Sequence, residues 1–339
     1  MAAVRIQDIA RELNLSAMTV SRVLNRSEGT SVAAETAERV LQAAAEMGYR
    51  PNRHARALAT GRTSTIAIWI SHLHSSVYTQ IAKCCREEIE RAGLQATISE
   101  MHWHFAAPSL PHRFDWQVDG ILAVDPPAGS VLNALLEETL LSKVPRVNLG
   151  SGKAAEWSGD YVRVDLSAGT RAAIDHLART GCRRIAYAVP HGADKPGSGN
   201  YDAYSEAMQK AGLSPEKIVH AVWDMPSVRR DVSAHILSQG KPDGIYCHND
   251  EIAIAAFRAV RDLNLRVPDD VLLIGCEGNE FMEYFDPPLS TISMQIPEMC
   301  RVAWRLLQRR LGSADADAEQ ILLPPQFIQR GSSTFPGKL

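Results

Sequence analysis

The sequence predicts an all-α head of helix-turn-helix type, a hinge helix, and an α/β core of two lobes built on parallel sheets. Three observations lead there. Apolar residues recur at helical spacing through residues 1–50, interrupted by turn chemistry. From Thr65 onward, short apolar runs alternate with amphipathic stretches. Charge is divided between the two parts: residues 1–62 hold nine arginines, no lysine and six acids, a net +3, which leaves −6 on the rest and −3 overall. A small basic head on an acidic body suits a reader of a polyanion that carries a separate second function.

At 339 residues, 45% hydrophobic and 22% charged, the chain has room for two or three folded domains and is too apolar for a disordered one. No apolar run is long enough to span a bilayer, and MAAVRIQDIARELN lacks the basic-then-apolar order of a secretory signal. The cysteines at 84, 85, 182, 247, 276 and 300 form no CxxC pair, and adjacent Cys84 and Cys85 are badly placed to bridge each other. These features read as a reduced, cytoplasmic protein without a membrane partner.

In the head, IQDIARELNL places Ile6, Ile9, Ala10 and Leu13 on one helical face. Asn14 falls at the turn, and asparagine tolerates the left-handed conformation better than most residues. Ser16 caps SAMTVSRVLN. This second helix carries a buried stripe of Val20, Val23 and Leu24; its other face, Thr19, Ser21, Arg22 and Asn25, has hydrogen-bonding groups and no carboxylate. A third helix, AAETAERVLQAAAEMG, sets Val40, Leu41, Ala44 and Met47 at core spacing and stops at Gly48. Helix, tight turn, helix and supporting helix make the helix-turn-helix plan over 1–50. RPNRHARALATG, residues 50–61 and all but its first residue in the 51–62 linker, is too short a helix to stand alone in water.

Beyond it, IAIWI, LQATIS, DGILAV, PRVNLG, RRIAYAV, DGIYCH and DVLLIGC read as strands between helices such as VYTQIAKCCREEIERAG. Strands apolar on both faces, alternating with helices, predict parallel α/β sheets, whose ligands meet loops at the carboxyl ends of the strands. An enzyme finds little support. PGSGNYD has Asp202 where a dinucleotide fingerprint needs its third glycine, and no GxSxG, Walker loop or HExxH occurs. No catalytic residue and no cofactor is assigned.

The order of residues adds a resemblance. IxDIAxxLxLSxxTVSRVLN, then TAERVLQAAAEMGYRPNRHARAL, then TGRTSTIAI resemble the LacI/GalR (lactose-repressor) family of bacterial transcription regulators. VDGILAV, VRVDLSAGTRAAIDHLARTGCRRIAYAV, HNDEIAIAAFRAVRDLNLRVPDDVLLIG, DPPLSTI and FIQRGSST extend it through that family's periplasmic-binding-protein-like core. The resemblance implies a core over 63–339, with an N-subdomain of about 63–162 and 292–320 and a C-subdomain of about 163–291 and 321–339. It also implies a ligand-responsive repressor of carbohydrate or related catabolic genes. Such a protein binds a pseudo-palindromic operator in double-stranded DNA as a homodimer and answers a small-molecule effector, a sugar or sugar derivative, by lobe closure. No leucine heptad follows the last strand, which favours a dimer over a tetramer.

On that reading the helix over 17–25 lies in the major groove. Ala17 and Met18 meet base edges, Arg22 reads guanine bidentately, and Ser16, Thr19, Ser21 and Asn25 hold phosphates. In the hinge, Leu58 wedges a base step in the minor groove, backed by Ala55, with Asn52 and Arg56 near phosphates. Some residues depart from the family pattern. Leu13-Asn14 stand where the turn usually reads Ala-Gly, and Ala33 stands where a serine starts the third helix, leaving Ser31 or Thr30 to supply the cap.

The pocket departs further. HLHSSVY replaces D-x-x-N-P-F-F, Asn200 stands for the usual sugar-gripping arginine, and Gly150 for a frequent aspartate. The expected effector contacts are Tyr78, Asn200, Trp223, Asn249 and Glu277. HLH and HWH place His72 with His74, and His102 with His104, on one face each of neighbouring strand ends. A divalent transition metal is one reading of these four imidazoles. Effector contact or a solvated loop carries more weight, and no metal is assigned.

Overall fold

The computed structural model describes residues 4–24, 32–50, 57, 61–71, 73, 75–101, 117–127, 129–137, 139–151, 159–222, 224–313 and 315–335. They divide into two compact units, Met1–Thr63 and Ser64–Leu339.

The first unit holds α1 (Ile6–Glu12), α2 (Ala17–Leu24) and α3 (Ala34–Glu46). Asp8 accepts the Arg5 amide at 2.9 Å, closing the first turn of α1 with its own side chain. Asn14 takes φ +54° at the turn into α2, as its side chain predicts. Ser16 Oγ accepts the Thr19 amide at 3.0 Å, capping α2. Ile9, Ala10, Val20, Val40, Ala43 and Ala44 are buried together, with Ile6, Leu13, Val23, Leu24 and Met47 packed against them.

Two expectations in α3 need correction. Leu41 is 56% exposed, because the buried stripe is Val40, Ala43, Ala44 and Met47, and that i, i+3, i+4, i+7 set turns Leu41 to the far side. The helix starts one residue late, with Ala33 at its N-cap and no side-chain capping bond. Ser31 and Thr30 lie outside the described residues.

The second unit is two parallel sheets with helices on both faces. Its elements are β1 (Thr65–Ile70), α4 (Ser76–Arg91), β2 (Gln95–Glu100), β3 (Gly120–Val124), α5 (Gly129–Glu137), β4 (Arg146–Gly150) and β5 (Asp160–Val164). Next come α6 (Leu166–Thr180), β6 (Ile185–Pro190), α7 (Gly199–Lys210), β7 (Glu216–His220), α8 (Met225–Gln239), β8 (Gly244–Cys247) and α9 (Asp250–Asp262). The chain finishes with β9 (Leu272–Glu277), β10 (Ser290–Ser293), α10 (Ile296–Gly312), β11 (Gln320–Leu323) and β12 (Gln326–Ile328). The first sheet runs β11-β5-β4-β3-β1-β2 and the second β12-β10-β9-β8-β6-β7. Among the described residues every strand pairing is parallel except β10 with β12.

The chain passes between lobes after β5, after β10 and after β11. The expected subdomain boundaries fall a few residues early, because β5 runs to Val164, β10 to Ser293 and β11 to Leu323 before each crossing. Buried residues such as Ile66, Ile68, Val147, Tyr187, Ile274 and Trp304 form the largest core cluster. A second, of Ile218, Val228, Val232, Ile245, Ile252 and Leu273, lies between the second sheet and helices α8 and α9. All six cysteines are free thiols. Among the described residues no helix is long and apolar enough to cross a membrane.

Candidate DNA interface and effector cleft

In the head, the stripe of α2 fixes which groups face outward. With Val20 buried, Ser16, Ala17, Met18 and Arg22 are exposed, Met18 by 63%, and Thr19 and Ser21 are half-buried. Ser16 Oγ and Thr19 Oγ1 lie 2.8 Å apart, so these two hydroxyls already form a pair at the start of the helix. The start of a helix also carries partial positive charge. Arg22 stands one turn further along. Asn25, Asn52, Ala55, Arg56 and Leu58 lie outside the described residues.

In the body, the carboxyl ends of both sheets supply the side chains of a cleft. Tyr78, in the first turn of α4, donates its hydroxyl to Asp125 Oδ2 at 3.3 Å. Asp125 follows β3 directly, has φ +42°, and takes the Ser151 amide on its other oxygen at 2.8 Å. Gly150 lies against it, at φ +139°: a Cβ there would stand 2.2 Å from Asp125 Oδ1. The aspartate that the resemblance implies at position 150 would therefore collide with Asp125, whose own carboxylate lies at the end of the adjacent strand.

The opposite wall comes from β8, β9 and α9. Glu277 ends β9 in a left-handed conformation, φ +101°. Burial, then the charges of Asp250, Glu251 and Asp125, hold its carboxyl well above the ordinary range. Burial likewise raises the Tyr78 hydroxyl, with the charges of Asp125 and Glu277 adding to it. Asn249 is buried, and its Oδ1 caps α9 by accepting the Ile252 amide at 2.9 Å. Asn200 is half-buried as the second residue of α7. Trp223, His72, His74, His102 and His104 lie outside the described residues. Among the described residues no group of three or more side chains could hold a metal ion.

The structure adds groups that sequence reasoning missed. Glu251 Oε1 accepts both the amide and the hydroxyl of Ser76, at 2.9 and 3.0 Å, and Asn279 Nδ2 donates to Ser76 Oγ at 2.6 Å. These bonds clasp the first lobe to the second. Asp250 anchors the loop that carries Glu277 and Asn279. Its Oδ2 accepts the Gly278 and Asn279 amides at 2.9 and 2.5 Å, and its Oδ1 accepts Thr291 Oγ1 at 2.7 Å. Burial raises its carboxyl to about 7 against the pull of those bonds. His248, paired with Tyr187 at 2.7 Å, is pushed down to about 4 by burial and is neutral at pH 7. Asp125 follows its strand in DGILAVD, the position where a parallel sheet meets ligand, and was legible on that ground.

The dinucleotide reading loses its remaining support. The Gly197 amide, which a bound phosphate would need, donates to the Asp202 carboxylate at 3.0 and 3.1 Å.

Comparisons with known proteins agree with this architecture. A model of bacterial regulatory proteins, lacI family, matches residues 5–52, and a periplasmic binding protein-like domain model matches residues 174–333. The HTH-type transcriptional regulator DegA of Bacillus subtilis (strain 168) is 27% identical over 336 residues, covering 97% of this chain and 98% of DegA. A crystal structure of the lac repressor dimer bound to operator and the anti-inducer ONPF superposes with a TM-score of 0.81 at 22% identity, over 98% of this chain and 100% of that one. A complex of the transcriptional regulator CelR with cellobiose gives 0.65 at 24% identity, over 97% and 99%. The structural likenesses show a shared fold.

Proposed function

Because the chain belongs to the lacI family of bacterial regulatory proteins, we propose that it is a homodimeric, ligand-responsive repressor of carbohydrate or related catabolic genes. It acts in the cytoplasm on a pseudo-palindromic operator and catalyses no reaction. The observation that carries this reading is α2, whose buried Val20 turns Ala17, Met18 and Arg22 outward on a helix without acids.

The division of labour follows from the chemistry of each residue. Ala17 and Met18 have no hydrogen-bonding side-chain group for a base and sense thymine methyls. Arg22 has the fork that matches guanine O6 and N7. Ser16, Thr19, Ser21, Asn25, Asn52 and Arg56 set register on phosphates, and Leu58 with Ala55 opens the minor groove between the half-sites.

The effector enters between Tyr78 and Asp125 of one lobe and Glu277, Asn200, Asn249 and Trp223 of the other. The acceptor-rich pair Asp125 and Glu277 suits the hydroxyl donors of a sugar. Lobe closure carries the signal, with Ser76, Glu251 and Asn279 as the clasp. An effector shifts operator affinity only by its difference in affinity for the two lobe arrangements.

A thermal-shift screen of sugars, sugar acids, sugar phosphates, nucleosides and divalent metals tests this, with every hit repeated on operator DNA. A ligand at 100 times its dissociation constant stabilises the fold by about 2.7 kcal/mol. A sugar that raises the melting point and changes salt-steep, palindrome-specific DNA binding supports the reading. A ligand that is chemically altered, or a protein indifferent to DNA sequence, removes it.

A further inference from the structure

The strand ends that form the cleft carry charge of one sign. Taking the last residue of each parallel strand and the two that follow it, β1–β11 supply Glu100, Asp125, Asp165 and Glu277 and no lysine or arginine. His248, at the end of β8, is neutral at pH 7. Asn200, where the resemblance implies an arginine, brings no charge either.

Most of these acids are absorbed by the fold. Glu100 Oε1 accepts the Leu73 amide at 3.1 Å, and Asp165 Oδ1 caps α6 through the Ser167 amide at 3.2 Å. Asp125 takes the Ser151 amide and the Tyr78 hydroxyl. At the start of α9, Asp250 is engaged by loop amides and Thr291, and Glu251 by Ser76.

Glu277 is the exception. Among the described residues no donor meets its carboxylate, and the charges that act on it, from Asp250, Glu251 and Asp125, are all negative. Its side chain is half-buried, and its oxygens are not sealed from solvent. It ends an inner strand of the second sheet, two residues before Asn279, which donates to Ser76 at 2.6 Å. Tyr78 lies two residues beyond Ser76, and the charge of Glu277 reaches both Tyr78 and Asp125 in the opposite lobe. A partly desolvated carboxylate among other acids, with no donor of its own, is costly. The hydroxyl of a neutral sugar gives it one hydrogen bond and leaves the like charges unopposed. An ammonium supplies both the donors and the opposing charge.

We propose that the effector is an amino sugar with its nitrogen unacylated, whose ammonium sits against Glu277 in the field of Asp125 while its hydroxyls are left to Tyr78 and Asn200. The inference rests on the reading of the cleft as the effector site and narrows its ligands from sugars at large to cationic ones. Sugar acids and sugar phosphates are opposed by the same charge.

Isothermal titration calorimetry on the full-length protein tests this with glucosamine, galactosamine and mannosamine, each beside its parent hexose and its N-acetyl derivative. In at least one set the amine should bind roughly tenfold tighter than both neutral counterparts, the margin of a charge-assisted hydrogen bond over a neutral one. Glu277→Gln keeps the shape and an acceptor and removes the charge, so it should bring that amine down to the level of its parent. If the variant does not fold, the comparison within each set on the unaltered protein decides alone. A parent hexose or N-acetyl derivative that binds as tightly as the amine overturns the proposal; if that neutral sugar also changes operator affinity, the effector reading stands without it. An amine preference that survives in Glu277→Gln overturns the assignment to Glu277. Binding by none of the amines overturns it too, whereas the effector reading falls only if the wider screen finds no ligand that alters operator binding.

Discussion

Asp250 joins fold stability to the cleft, and its replacement has a worked outcome. The side chain is buried and accepts three hydrogen bonds, from the Gly278 and Asn279 amides and the Thr291 hydroxyl. Asp250→Ala strands the Asn279 amide and the Thr291 hydroxyl, each costing about 1–3 kcal/mol when left unsatisfied, and leaves the Gly278 amide only its 3.3 Å bond to Thr291 Oγ1. Against that stands the carboxyl's own burial, which lifts its pKa from 3.8 to about 7. A folded-state pKa raised in this way means a contribution to stability that is complete below pH 3.8 and is lost as pH climbs through about 7. Each pKa unit is worth about 1.4 kcal/mol, so between pH 5 and pH 8 the native protein gives up roughly 3 kcal/mol at this site.

Asp250→Asn keeps an acceptor for the two amides and does not titrate. It should be within about 1 kcal/mol of the native protein at pH 5 and gain relative to it by pH 8. Asp250→Ala should lose about 3 kcal/mol or more at pH 5, and less at pH 8. Urea unfolding of the three proteins at both pH values measures this. If the difference between native and Asp250→Asn proteins does not change with pH, Asp250 does not titrate as a buried acid and the reasoning fails. Because the anchored loop carries Asn279, Asp250→Ala should also loosen the contact with Ser76 and reduce the effect of effector on operator affinity.

Other outcomes follow from single contacts. Arg22→Ala should relax operator specificity at one base pair per half-site by about 1–3 kcal/mol, read by binding to a set of single-base variants; a uniform loss would make Arg22 a phosphate contact. Leu58→Ala should greatly weaken operator binding in a mobility-shift assay while sparing effector affinity, and unchanged operator affinity would remove the wedge. Gly275→Ala places a Cβ 2.1 Å from Asp250 Oδ1 and 2.7 Å from Met282 Cε. Overpacking of that kind costs about 1–3 kcal/mol, visible as a lowered melting temperature, and an unchanged one would mean that the Asp250 carboxylate is free to move aside.

The parts legible from sequence are those whose cause is local. Asn14 turns because of its own side chain, Ser16 caps the amide three residues on, and alternation of apolar runs announces the sheets. Even there, Leu41 shows the limit. One more apolar residue beside Val40 satisfies a pattern count, yet only the partners α1 and α2 decide which side of α3 is buried. The cleft was legible only in part, for the same reason extended over distance. Tyr78 and Glu277 could be placed at strand and helix ends. Their neighbours could not, because Ser76 and Asn279 meet across 203 positions of chain, and Ser76 and Glu251 across 175. Asn249 illustrates how roles merge at such a place. The residue pattern marks it for ligand, whereas its oxygen first holds the Ile252 amide. An effector that engages Asn249 must therefore use its amide nitrogen or disturb the start of α9. That helix also bears Asp250 and Glu251, so helix cap, loop anchor and lobe clasp stand on consecutive residues. Displacing the start of that helix should therefore break all three contacts together, the Ile252 cap, the Gly278 anchor and the Ser76 clasp.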